Sequence, residues 1–159
     1  MNYLILSPEI LVCVLGIIIL FGDIIIPAHR KEILGITAAI GLLPVFPVLL
    51  GIGAVTGYAV FPGFAFDPFS TFFKLIILLA TIVVILLSVN YSGLPAPRKG
   101  PYYSLIIFSC AAMMFLVSAT DLLMIYLAIE FLGLTSYVLA GYMRNDVKSA
   151  EGSVKYFLL

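Results

Sequence analysis

The sequence has few charged residues. Of its 159 residues, 10% are Asp, Glu, Lys or Arg, whereas soluble domains carry about 25%. The formal net charge is zero, so there is no basic surface that would indicate nucleic-acid binding and no acidic tail.

Ligands for metals and groups for nucleophilic catalysis are also scarce. The two cysteines, Cys13 and Cys110, lie in separate apolar segments and form no CxxC pair. Neither an iron–sulfur nor a zinc site therefore has its ligands here. No Ser–His–Asp or Cys–His arrangement is available either. The single histidine, His29, lies alone in a basic loop. We expect this chain to bind no metal and no cofactor.

Hydrophobic residues are what the sequence has in abundance, at 64% of the chain, with a mean hydropathy of +1.25. A soluble fold of this size could not bury so much apolar surface. A helix that crosses a bilayer needs about 20 mostly apolar residues. The stretches that meet this requirement are Pro8–Ile26, Glu32–Val55, Pro68–Tyr91, Tyr102–Ala119 and Leu122–Tyr142.

A sixth apolar stretch begins near Lys148 and continues to Leu159 without a helix-stop signal. The predicted fold is thus an all-α polytopic transmembrane helix bundle, with five spanning helices and the start of a sixth. We expect the chain to be the N-terminal portion of a larger protein. Pro44 and Pro47 predict a kink in the second helix, and the composition of Gly57–Pro68 predicts a loop at the membrane interface.

The basic residues predict the orientation. Six of the eight fall in loops on one side of the predicted bundle: Arg30, Lys31, Arg98, Lys99, Arg144 and Lys148. By the positive-inside rule this side is cytoplasmic, or its organellar equivalent, and the N-terminus is outside.

Glu130 lies near the middle of the fifth predicted helix, and Lys155 lies about seven residues into the sixth. An ionised carboxylate at mid-membrane costs a few kcal/mol, and such residues usually face a bundle interior or a water path. Because the two helices are neighbours joined by a short turn, we expect the two side chains to meet directly or through one water. A buried acid–base pair of this kind is typical of a proton relay.

The other ionisable residues in the predicted spans have simpler interpretations. Lys74 is close enough to the outer surface for its ammonium group to snorkel toward Asp67. Glu9 lies at the start of the first helix, where a carboxylate is favoured by the helix dipole. Asp23 is expected to be an interfacial partner of the basic loop that contains His29 and Arg30.

Two segments near the end of the chain resemble a known family. The stretch Asp121–Leu134, continuing to Arg144, resembles the fifth helix of antiporter-like subunits of respiratory complex I. The segment Ala150–Phe157 is similar to the E-A-x-x-K-Y-F pattern that opens the sixth helix of NADH-quinone oxidoreductase subunit N. The related L-type and M-type subunits usually place Trp before the helix-five glutamate, whereas Ile129 stands there in this sequence. The detailed resemblance covers about Asp121–Leu159 and favours the N type.

The resemblance implies a function for the two ionisable residues. Glu130 and Lys155 match the glutamate and lysine of a proton-translocating half-channel, whose activity is coupled to quinone reduction in an NADH:quinone oxidoreductase. Residues 1–119 would then hold the first four helices, and residues 120–159 would begin the proton-translocation module. A full family member has about fourteen helices, so most of such a channel lies outside this sequence.

The resemblance also implies the setting. NADH, flavin, iron–sulfur clusters and quinone are expected elsewhere in the complex, and the partners are its other membrane subunits and the lipid bilayer. The location is a bacterial inner membrane or an energy-transducing organelle membrane. Two alternatives stay open: a subunit of a Mrp-type cation/proton antiporter or membrane-bound hydrogenase, and a helical scaffold in which Glu130 and Lys155 only fix helix packing.

Overall fold

The computed structural model describes residues 3–27, 31–56, 59–91, 99–143 and 147–158. A single 3-10 turn, Tyr3–Leu6, leads into the first helix. The elements that follow are α1 (Ser7–Ile25), α2 (Glu32–Leu42), α3 (Val45–Thr56), β1 (Ala59–Phe61), β2 (Phe64–Phe66), α4 (Pro68–Val89), α5 (Lys99–Ser118), α6 (Leu122–Ala140) and α7 (Val147–Leu158).

Five segments of the described residues are long and apolar enough to cross a membrane: Ser7–Ile25, Glu32–Ile52, Pro68–Val89, Lys99–Ser118 and Leu122–Ala140. Their ends lie within about one helical turn of the predicted ends. Large apolar side chains cover the outside of the bundle, such as Ile24 and Leu87, which are 79% and 75% exposed. This surface suits lipid rather than water, and the predicted all-α polytopic bundle is confirmed.

The second spanning segment is divided at Pro44, where α2 gives way to α3. Proline has no backbone N–H to donate, and its ring clashes with the carbonyl four residues earlier. Around Pro44 the chain turns more tightly than an α-helix, with hydrogen bonds that span three residues. Leu43 N donates to Ile40 O at 3.1 Å, and Phe46 N donates to Leu43 O at 3.2 Å. The kink predicted from the prolines is confirmed.

The predicted loop Gly57–Pro68 contains a short antiparallel hairpin formed by β1 and β2. Its turn includes Gly63, whose φ of 81° lies in the left-handed region that favours glycine. The alternation within β2 buries Phe64 and Phe66 and leaves Ala65 partly exposed. The composition indicated only a loop. The structure shows a hairpin with two buried aromatic rings on one face.

The core of the bundle lies along α5, which packs against α1, α4 and α6. Side chains of α5 that are completely buried include Tyr103, Ile107 and Met114. Gly16 of α1 permits a close approach to α5, because a Cβ atom at that position would lie 2.9 Å from Cε1 of Phe108. Half of α5 is buried in this way, whereas α6 lies at the edge with little of its surface covered.

The bundle has two ends, which we name by their contents. The hairpin end contains β1, β2 and the N-termini of α1, α4 and α6. The basic end contains Lys31, Lys99 and Lys148. The other three basic residues of the predicted cytoplasmic loops lie outside the described residues: Arg30, Arg98 and Arg144. The orientation of these ends relative to the membrane stays a prediction.

At the basic end, ion pairs tie successive helices together. Lys31 Nζ lies 2.6 Å from Asp23 Oδ1. The expected partners of Asp23, His29 and Arg30, lie outside the described residues. Lys99 Nζ donates to the carbonyl of Val89 at 3.0 Å and lies 3.4 Å from Glu32 Oε1. These contacts join the ends of α1, α2, α4 and α5.

Candidate functional site

Glu130 lies at the ninth of the nineteen residues of α6. Its side chain is exposed, and so are the residues one turn away on the same face, Tyr126, Leu127 and Leu134. The buried positions of α6 are Ala128 and Thr135, which look toward α5. Glu130 therefore belongs to an otherwise apolar face of α6 that no described residue covers.

The face that α7 turns toward α6 is set by two serine hydroxyl groups. Ser149 Oγ donates to the carbonyl of Ala140 at 2.7 Å, and Ser153 Oγ donates to the carbonyl of Tyr137 at 2.8 Å. The ring of Phe157 packs edge-on against Tyr137, with centroids 5.5 Å apart. These residues are spaced four apart along α7, so they form one stripe.

Lys155 lies on the opposite side of α7. Successive residues of an α-helix are rotated by about 100°, so Lys155 is about 200° from Ser153. Its Nζ pairs with Glu151 Oε1 at 2.6 Å, and the two side chains are 68% and 58% exposed. The expected direct contact between Glu130 and Lys155 is therefore wrong for this structure, because the hydrogen bonds of α7 turn Lys155 away from α6. A link through one water stays a prediction, and so do the roles of both residues.

The bundle contains a different acid–base pair, which was not predicted from the sequence. Glu9 of α1 and Lys74 of α4 are both completely buried, and Lys74 Nζ lies 2.6 Å from Glu9 Oε1. The expectation that Lys74 snorkels toward Asp67 is wrong. The Asp67 carboxylate caps α4 instead, accepting a hydrogen bond from Ser70 N at 2.6 Å.

The ammonium group of Lys74 is enclosed by aromatic rings as well as by Glu9. Lys74 Nζ lies 4.9 Å from the centroid of the Phe64 ring and 5.0 Å from that of the Phe66 ring. Both distances are within the range of cation–π interactions. Among the described residues, no backbone or other side-chain group supplies a further hydrogen bond to this pair.

A signal for the Glu9–Lys74 pair was present in the sequence. Both residues lie near the N-termini of predicted spans that start at the same side of the membrane. The Cα–Cβ bonds of a helix tilt toward its N-terminus, so the long side chain of Lys74 is carried back toward the level of Glu9. Opposite charges at similar depths in two spans that run in the same direction would have indicated a pair. The sequence does not show that these two side chains, one from α1 and one from α4, reach each other inside the bundle.

Cofactor and metal ligands were expected to be absent from this chain. Among the described residues, no cluster of three or more His, Cys, Asp or Glu side chains is arranged to hold a metal ion. The binding of NADH, flavin, iron–sulfur clusters and quinone by other subunits stays a prediction.

Comparisons with known proteins agree with the resemblance seen in the sequence. Residues 119–159 match the family described as NADH:quinone oxidoreductase/Mrp antiporter, transmembrane. This region contains all of α6 and α7, and thus both Glu130 and Lys155.

Matches to individual relatives extend over almost the whole chain. NADH-quinone oxidoreductase subunit N 2 of Koribacter versatilis is 38% identical over 99% of the chain and 34% of its own length. Subunit N of Trichlorobacter lovleyi is 35% identical over 99% of the chain and 32% of its own length. F(420)H(2) dehydrogenase subunit N of Methanosarcina mazei is 30% identical over 97% of the chain and 33% of its own length. The chain thus spans about a third of the length of these relatives.

The fold agrees with a solved structure. A chain of respiratory complex I from Thermus thermophilus, in a structure with bound aureothin, superposes with a TM-score of 0.73 at 24% identity. The match covers 95% of this chain and 32% of that one. This superposition shows a shared fold. Residues 119–159 belong to the NADH:quinone oxidoreductase/Mrp antiporter transmembrane family, and over the third of the subunit that it spans the chain is similar to NADH-quinone oxidoreductase subunit N.

Proposed function

We propose that the chain is part of a membrane subunit of a proton-pumping NADH-quinone oxidoreductase and that Glu130 is a proton-binding group of that subunit. The observation that carries the proposal is the position of Glu130: midway along a spanning helix, on its uncovered face, within the region matched by the family. Lys155 is proposed as a further relay residue, which acts without direct contact with Glu130.

The energetics of the uncovered face support this proposal. A carboxylate at the centre of a lipid-facing helix costs about 3 kcal/mol on insertion scales. The cost disappears if the face looks toward protein or a water-filled path, where a carboxyl group can gain and lose a proton. We therefore propose that other parts of the full-length subunit, or its neighbours in the complex, cover the face around Tyr126, Glu130 and Leu134.

This chain would supply proton transfer and no electron transfer. The donor, flavin, iron–sulfur clusters and quinone are proposed to be bound by other subunits, and the partners are the other membrane subunits of the complex. The energy of quinone reduction would reach Glu130 through them. The proposed location is the inner membrane of a bacterium.

Two of the comparisons favour related functions as second candidates. The family description names Mrp antiporters beside the oxidoreductases, and the Methanosarcina mazei relative is named as a subunit of a dehydrogenase with a different donor. Both candidates keep a proton-binding role for Glu130 and change what drives the protons.

Purification of the intact assembly tests the proposal. The full-length subunit is tagged in its native membrane, extracted in mild detergent and assayed with its partners. We expect the purified assembly to contain flavin and iron–sulfur clusters and to reduce a quinone with NADH. Oxidation of a different donor would select the related dehydrogenase. Exchange of Na⁺ for H⁺ in vesicles without any donor oxidation would select the antiporter and overturn the proposal.

A further inference from the structure

We infer that Lys74 is a positioning residue. Its ammonium group, neutralised by Glu9, holds the β1–β2 hairpin against the bundle, and the hairpin fixes the start of α6 and thereby the placement of Glu130. The inference rests on the proposed function of Glu130, because it assigns Lys74 a part in positioning that residue.

The ammonium group of Lys74 contacts the hairpin. Phe64 and Phe66 are two residues apart on β2, so their rings lie on one face of the hairpin. The Lys74 ammonium lies 4.9 and 5.0 Å from the two ring centroids, in a position that water does not reach. A cation is attracted to the negative face of an aromatic ring, and the attraction is strongest where the cation is desolvated.

The hairpin in turn contacts the segment that leads into α6. Thr120 N donates to the carbonyl of Gly63 at 3.1 Å, and Ala119 forms an isolated antiparallel bridge with Phe64. Asp121 follows as the N-cap of α6, and its carbonyl accepts a hydrogen bond from Ile125 N at 2.9 Å. The segment that leads into α6 is thus hydrogen-bonded to the hairpin that Lys74 holds.

A buried ion pair that only joins two helices would be as favourable with its two charged residues exchanged. If Glu9 and Lys74 merely hold α1 against α4, exchanging them would preserve the attraction. In the inferred arrangement the exchange would fail, because a carboxylate at position 74 would face the negative faces of the Phe64 and Phe66 rings. The exchange keeps the net charge and the composition unchanged, so it isolates the contact with the hairpin.

The experiment measures the distance between the hairpin and α6 in the assembled full-length complex. Spin labels are placed at Pro62, in the hairpin turn, and at Leu123, in the first turn of α6; both side chains are exposed. Native cysteines of the subunit, including Cys13 and Cys110, are replaced by alanine first. Dipolar broadening of the continuous-wave spectrum, which suits labels this close together, then gives the distribution of label distances without enzyme turnover, so the result does not depend on whether Glu130 binds a proton.

The variants separate the cation from the ion pair. Lys74→Arg, which keeps a cation over the rings, should retain the narrow distribution of the parent. The exchanged pair (Glu9→Lys with Lys74→Glu) and the neutral pair (Glu9→Gln with Lys74→Met) should broaden it, with a released hairpin about tenfold more populated. Phe66→Leu keeps the ion pair and removes one ring, and it should broaden the distribution as well.

Function provides the second readout. Variants that broaden the distance distribution should also lower proton pumping, at normal levels of the subunit in the membrane. A distribution in the exchanged pair as narrow as in the parent would overturn the inference. If the exchanged pair does not assemble, a narrow distribution in Phe66→Leu would overturn it equally. Lost pumping with an unchanged distance would also contradict it, because Lys74 would then act by another route.

Discussion

Ser153 donates a hydrogen bond to the carbonyl of Tyr137 at 2.8 Å, and this contact decides which side of α7 looks toward α6. Lys155 lies about 200° away around the helix and pairs with Glu151 of its own helix at 2.6 Å. The two residues that the family resemblance joins, Glu130 and Lys155, are therefore separate charges in this structure. The energetic coupling between them can be measured.

A double-mutant cycle tests this separation. Residues without contact or shared partners usually contribute additively, within about 0.5 kcal/mol. We expect the changes in the free energy of unfolding caused by Glu130→Gln and Lys155→Met, measured by denaturant unfolding in mixed micelles, to add in the double variant. The matched cycle of Glu151→Gln with Lys155→Met should be non-additive, because those two side chains are in contact. Strong coupling in the first cycle would mean that Glu130 and Lys155 meet in the assembled protein.

Stability depends on a different pair. Replacing Lys74 with Met leaves the carboxylate of Glu9 buried without its counterion, and breaking a buried pair typically costs about 3–5 kcal/mol. Addition of Glu9→Gln removes the isolated charge and should recover much of the loss. Denaturant unfolding of the purified subunit in mixed micelles measures both variants.

Lys155→Met is the matched control for this measurement. The Lys155–Glu151 pair is exposed, and such pairs contribute about 0–1 kcal/mol. A Lys74→Met variant as stable as Lys155→Met would contradict the importance of the Glu9–Lys74 pair for the bundle.

The orientation of the bundle can be tested by labelling single cysteines in intact cells, in a background without Cys13 and Cys110. Pro62 and Asn90 are exposed and lie at the hairpin end and the basic end, respectively. If the basic loops face the cytoplasm, an impermeant maleimide should label Pro62→Cys in intact cells and Asn90→Cys only after permeabilisation. The reverse pattern would invert the predicted topology.

The spans and the kink at Pro44 could be predicted from the sequence because each follows from a local property. Hydrophobic length determines whether a segment can cross a bilayer, and proline interrupts a helix wherever it stands. The hairpin was not predicted, since three-residue strands give too short a pattern to distinguish from a loop.

The candidate site was predicted less completely, because it depends on which helix faces another. The depth of Glu130 and Lys155 follows from counting residues, but the direction of Lys155 depends on the hydrogen bonds of Ser149 and Ser153 to α6. Lys74 was expected to reach the surface because its depth permitted it. Its burial follows from its contact with Glu9 of α1 and from the hairpin that closes over it, and both are tertiary features.

Glu130 is proposed to bind and release the protons that the complex moves. The most direct test is NADH-driven acidification of inverted membrane vesicles that contain Glu130→Gln in the full-length subunit, with Glu130→Asp as the variant that keeps a titratable group. Glu32→Gln is the matched control, because Glu32 is an exposed glutamate at the basic end of the bundle. Subunit levels are measured in the same membranes. We predict that Glu130→Gln loses most proton pumping at normal subunit levels, that Glu130→Asp retains a substantial part, and that Glu32→Gln pumps normally. Normal pumping by Glu130→Gln would mean that Glu130 does not carry the protons that the complex moves.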